Sequence, residues 1–170
     1  KLLVNVKLSV DNGNMDGASI SIEKNGSKDK SLDMKKSKFD VELDYGNDYL
    51  FVFSKPGYIT KRVSFSTKVP QEMIAQGFDP YRFQVTIFEQ YEGVNTVVYN
   101  QPIAKISFRP DIDSFDYDTD YTKSIQAAIE KAEKELEQKK KEEAANKSNA
   151  EAIAKKAAVE EAKKKAAEEE

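Results

Sequence analysis

Five aspartates crowd into one short stretch: Asp111, Asp113, Asp116, Asp118 and Asp120. Closely spaced carboxylates suit a hard cation, and Ca²⁺ takes its ligands from oxygen. The spacing Asp116-x-Asp118-x-Asp120 matches the opening of an EF-hand loop. Tyr121, however, stands where that loop needs glycine, and Ala127 where it needs its closing Glu. An EF-hand is therefore excluded, and a Ca²⁺ site of another geometry is the chemistry left to the cluster. The competing reading is simpler: a solvated acidic loop whose aspartates cap a following helix. The Asp11, Asn12, Asn14 and Asp16 loop has the same two readings, with turn formation the plainer one.

Other chemistry is removed by the residue types that are missing. The 170 residues contain no His, Cys or Trp. That excludes a Ser-His-Asp triad, a thiolate nucleophile, a structural zinc site and a disulfide. Paired carboxylates for glycoside hydrolysis are allowed by composition, but nothing marks one acid as buried beside another. The chain is expected to be no enzyme, with no resident cofactor beyond the Ca²⁺ considered above. A net charge of −3 gives no field for nucleic acid. No apolar run is long enough to span a bilayer, so no transmembrane segment is expected. The sequence opens on Lys1 rather than Met, as a mature exported chain or a trimmed one does.

The elements that must position these residues follow from periodicity. Leu2, Val4, Val6, Leu8 and Val10 alternate with their neighbours, as in a strand with one buried face. Ala18, Ile20 and Ile22 alternate in the same way, and Asn25-Gly26 predicts a tight hairpin turn. Leu32 and Met34 mark a weak strand; Phe39, Val41 and Leu43 mark a stronger one. Tyr49-Leu50-Phe51-Val52-Phe53 is apolar on both faces, which predicts a central strand. Ile59, Val63 and Phe65 share a face, as do Phe83, Val85 and Ile87. A loop with Met73, Ile74 and Phe78 as anchors separates these last two strands. About seven strands at close spacing predict a mainly β fold: a seven-stranded antiparallel β-sandwich over residues 1–90. Residues 91–120 predict an extension packed on it, with one or two strands around Val94–Tyr99 and Ile103–Phe108, then an acidic aromatic loop.

From residue 121 the period turns helical. Ile125, Ala128, Ile129, Ala132 and Leu136 form one apolar stripe, free to lie on the sandwich or on a partner helix. Beyond Leu136 only Ile153 and Val159 exceed Ala in apolar bulk, too few for a coiled coil. Glu-to-Lys pairs at i, i+4 take over: Glu130–Lys134, Glu135–Lys139, Glu137–Lys141, Glu151–Lys155, Glu160–Lys164 and Glu161–Lys165. Residues 121–170 are thus expected to form a charged, solvated helix, weakest at Asn146–Asn149 and frayed at its end.

Gly17-Ala18-Ser19-Ile20-Ser21-Ile22, Phe39-Asp40-Val41-Glu42-Leu43, Tyr45-Gly46, Tyr49-Leu50-Phe51-Val52-Phe53 and Lys55-Pro56-Gly57-Tyr58 together resemble the carboxypeptidase regulatory-like and PEGA domains. That resemblance implies a transthyretin-like, Ig-like sandwich over about residues 2–90. Lys35-Lys36-Ser37-Lys38 departs from the Thr-Asp-x-x-Gly usual in that family. Gln101–Ile106 and Phe115–Thr122 are similar to segments of Bacteroidota envelope proteins. This implies a periplasmic or outer-membrane-associated chain serving protein–protein interaction in an envelope assembly, such as a secretion or gliding machinery. Residues expected to meet the protein partner are Ile125, Ile129 and Leu136 on the helix, with Tyr91, Tyr99 and Tyr117. The alternative is a carbohydrate or peptidoglycan module with those three tyrosines as its platform. The lysines at 24, 28, 30, 35, 36 and 38 form a basic rim, suited to an acidic partner or to lipid headgroups but more commonly a charged, self-protecting strand edge.

Overall fold

The computed structural model describes residues 1–168. Nine strands and one long helix dominate it. The strands are β1 (Leu2–Val10), β2 (Ser19–Lys24), β3 (Ser27–Asp33), β4 (Lys38–Leu43), β5 (Asp48–Ser54), β6 (Lys61–Ser66), β7 (Tyr81–Ile87), β8 (Ala104–Arg109) and β9 (Ser114–Tyr117). The helices are a short α1 (Gln71–Gln76) and α2 (Thr119–Glu168). Seven strands fall before residue 90, as the alternation predicts, and two more in the extension.

The strands form two sheets, one ordered β4-β1-β7 and the other β3-β2-β5-β6-β8-β9. Their inner faces meet across a core built from Leu2, Val4, Val6 and Leu8 of β1, Phe51 and Phe53 of β5, and Val63 and Phe65 of β6. Alternation explains the choice, since period-two residues share one face. Phe51 and Phe53 meet Phe83 edge-on, with ring centroids 5.4 and 6.3 Å apart. The Asn25-Gly26 turn forms as expected, with φ of 51° and 84° at its two residues, the left-handed pair a tight hairpin requires. β5 is central, between β2 and β6.

Four expectations need correction. The sheets are mixed: β1 pairs β7 in parallel, and β6 pairs β8 in parallel. In each case the chain visits the other sheet between the two partners, and such a crossover brings strands back pointing the same way. The loop before Tyr81 contains the short helix α1. Val97–Asn100, expected to be extended, is a 3-10 turn that buries Val98 and Tyr99. The acidic aromatic loop is half strand: β9 runs through Ser114–Tyr117 and buries Phe115 against Phe65 and Phe78. The extension therefore adds its strands in the plane of the larger sheet, next to β6.

α2 is continuous from Thr119 through Asn146–Asn149 to Glu168. The expected weak point does not interrupt it; the last two residues of the expected helix lie outside the described residues. At 1.5 Å per residue its 50 residues span about 75 Å.

Candidate functional site, the root of the long helix

The five aspartates do not converge. Asp111 takes two hydrogen bonds from the Arg109 guanidinium, both 3.2 Å. Asp113 sits in the β8–β9 turn at φ 49°, a left-handed conformation that Asp tolerates better than most residues. Asp116 accepts from the adjacent Tyr117 backbone N–H at 2.8 Å. Asp118 is the N-cap of α2: its carboxylate accepts from Tyr121 N–H at 3.0 Å, and its carbonyl accepts the first helical bond from Thr122. Asp120 lies exposed in the first turn, where negative charge suits the helix dipole. Among the described residues no three acidic side chains gather into a metal-binding group. The Asp11–Asp16 loop is likewise occupied with local structure. Asn12 donates to Glu89 at 2.9 Å, Asn14 accepts from Asp16 N–H, and Asp11 pairs with Lys140 at 3.3 Å.

The helical stripe is spent inside the molecule. Ile125, Ala132 and Leu136 are buried, while Ala128 is exposed and lies off the contact face. Ala132 and Leu136 join Ile59, Val98 and Tyr99 in a second core; Ile129, Phe88, Tyr91 and Val94 close around it. Leu136, with Ile129 against it, therefore packs α2 onto its own sandwich, and Ile125 is buried as well. The same holds for the tyrosines. Tyr99 is 2 % exposed, Tyr91 donates its hydroxyl to Glu89 at 2.9 Å, and Tyr117 packs on Tyr81 with centroids 6.4 Å apart. They form no common platform, because each fills a seam between elements. Burial and the Glu89 carboxylate push the Tyr91 phenol up to about 12.

Beneath α2 lies a feature that no sequence motif marks. Lys61 opens β6 on the same face as Val63 and Phe65 and is 5 % exposed. Its ammonium stands 4.4 Å from the centre of the Phe88 ring and 5.4 Å from that of Tyr99. It makes no ion pair within 4 Å among the described residues. Burial pulls the amine down to about 8, partly offset by the attraction of Glu133 on α2. Beside it the Tyr99 hydroxyl is buried without a hydrogen-bond partner. Desolvation, with Glu133 adding, lifts that phenol to about 12. The signal for Lys61 was present in the sequence: the alternation through Ile59, Lys61, Val63 and Phe65 assigns the lysine to the inward face.

Next to this pair a groove of about 330 Å³ runs between helix and sandwich. Phe88, Tyr91 and Leu136 give it an apolar floor; Asp11, Glu89, Glu133 and Glu137 are among its walls.

Past Lys140 every described residue of α2 is exposed. Ile153 and Val159 are 69 % and 53 % exposed. Of the six expected Glu-to-Lys pairs only Glu161–Lys165 closes to within 4 Å, at 3.9 Å; Lys139 instead meets Glu142 at 3.7 Å. These long side chains are solvated, and holding two of them together gains little in water. Among the described residues no helix is long and apolar enough to cross a membrane. Comparison with protein-family models, with curated proteins and with solved structures finds no match in any of the three.

Proposed function

We propose that this chain is a non-enzymatic adaptor of the cell envelope, exported and either periplasmic or outer-membrane-associated. In this reading the sandwich is a carboxypeptidase regulatory-like, transthyretin-like head, and α2 is the arm that engages a protein partner in an envelope assembly. What supports the family reading is the run of strand motifs ending in Gly57-Tyr58, on a two-sheet head.

One observation carries the adaptor reading: α2 is divided at Lys140. Its first part is fixed to the head by a buried apolar face and by the Lys140–Asp11 pair. The remainder, 141–168, runs on for about 42 Å with no packing of its own. Isolated helices in water are marginal, and one that is polar all round gains little by folding alone. A head that rigidly aims such an arm suits a spacer or a docking rod. The partner contact therefore moves from the Ile125–Leu136 stripe to the exposed arm. The carbohydrate alternative loses its footing, since Tyr99 is buried and the other two tyrosines are engaged elsewhere.

The test is photo-crosslinking in the native host from Ile153 and Val159, with Lys28 on the head as control. A discrete, reproducible adduct from the arm positions supports the adaptor. Adducts from neither arm position would remove it.

A further inference from the structure

The smaller sheet carries an unbalanced charge pattern on its outer face. β1 turns Leu3, Asn5, Lys7 and Ser9 outward; β4 turns out Lys38, Asp40 and Glu42; β7 turns out Arg82 and Gln84. The register sets Lys7 directly opposite Lys38, and Arg82 opposite Asn5. Like charges facing each other across a strand pair are destabilising. Asp40 and Glu42 share the face and leave it with one net positive charge, but neither closes an ion pair with these three cations. Asn5 donates to Asp40 at 2.5 Å, and Gln84 donates to Ser9 at 3.2 Å. Among the described residues Lys7, Lys38 and Arg82 form no ion pair within 4 Å. Lys35 and Lys36, exposed in the turn before β4, stand at the same end. A shallow depression of about 750 Å³ lies over these residues, and Tyr117 forms part of its lining.

We infer that this outer face docks an acidic, extended peptide segment, whose carboxylates neutralise Lys7, Lys38 and Arg82. The spacing fits. Arg82 lies one pleat repeat from the Lys7–Lys38 row, which is about 7 Å along a strand. Carboxylates at i and i+2 of an extended chain repeat at the same interval. The depression favours a chain segment, which can enter it, over a planar lipid surface, which cannot. The inference rests on the adaptor reading, as a second contact made by the head; the arm plays no part in it.

The experiment uses the full chain and fluorescence anisotropy. The probe is a labelled peptide of alternating Glu and Ser, with a Gln-for-Glu peptide as control and phosphatidylglycerol vesicles as the lipid arm. The expected result is saturable binding of the Glu peptide alone, weakened by added salt. Lys7→Gln, Lys38→Gln and Arg82→Gln combined should weaken it at least about tenfold, the sum of several exposed ion pairs. Lys163→Gln, Lys164→Gln and Lys165→Gln combined remove the same charge from the arm and should leave it unchanged. Equal loss with the arm variant would overturn the inference, as would peptide binding indifferent to the sheet variant. Vesicle binding that depends on the three residues while the peptide fails to bind would overturn it in favour of a membrane. Arm crosslinks that persist in the sheet variant keep the two readings separable.

Discussion

Lys61→Met should stabilise the protein at neutral pH. Burial holds the Lys61 amine at about 8, against an ordinary lysine value of 10.5. Each tenfold change in proton affinity is 1.36 kcal/mol, so keeping this lysine charged in the fold at pH 7 costs about 3 kcal/mol. Met keeps a similar unbranched length without the charge. The net gain is therefore up to about 3 kcal/mol at pH 7. The sign follows from linkage. The folded-state value lies below the unfolded one, so between about 8 and 10.5 the unfolded chain binds more protons and wild-type stability rises with pH. The variant lacks this rise, and its advantage should vanish by about pH 10.5. Urea unfolding of both proteins at several pH values measures it, and tyrosine ionisation, common to both, drops out of the difference. A difference that stays flat from pH 7 to 10, or a variant less stable at pH 7, would refute the reasoning.

Four further outcomes are expected. Leu136→Ala, which empties the second core under α2, should cost about 2–4 kcal/mol in urea unfolding. Ile153→Ala on the exposed arm should change stability by less than about 0.5 kcal/mol. Asp118→Ala should cost about 1 kcal/mol through loss of the N-cap of α2, read by thermal unfolding. Millimolar Ca²⁺ or EGTA should leave Tm unchanged; a rise with Ca²⁺ that Asp116→Asn abolishes would restore the metal reading of the cluster.

Much of the fold was legible because period two is a local signal. The runs through Leu2–Val10, Phe39–Leu43 and Tyr49–Phe53 became strands with the expected faces inward. Asn25-Gly26 likewise required no tertiary information. Strand direction was not legible: β1–β7 and β6–β8 depend on which sheet the chain crosses to, which no short window records. Val97–Tyr99 read as strand from its β-branched residues, yet the need to cover Ile59 and meet α2 folds it into a 3-10 turn. Tertiary packing overrode propensity there. The helical stripe was legible, but its occupant was not, since a buried face looks the same whether the cover is the chain itself or a partner. The aspartates left two readings open, and the helix cap is the one seen at Asp118. Their spacing is visible in sequence, while convergence is a property of space, and Arg109, the β8–β9 turn and the start of α2 each claim one.

Hydrogen exchange along α2 addresses the division at Lys140 directly. Amides from about Ile125 to Lys140 should show protection approaching that of the sandwich core, and those from Lys141 onward should exchange orders of magnitude faster, as in a solvated helix. Uniformly fast exchange from Thr119 would mean that the arm has no anchored root. Strong protection continuing through Val159 would mean that the arm is packed and not free to meet a partner.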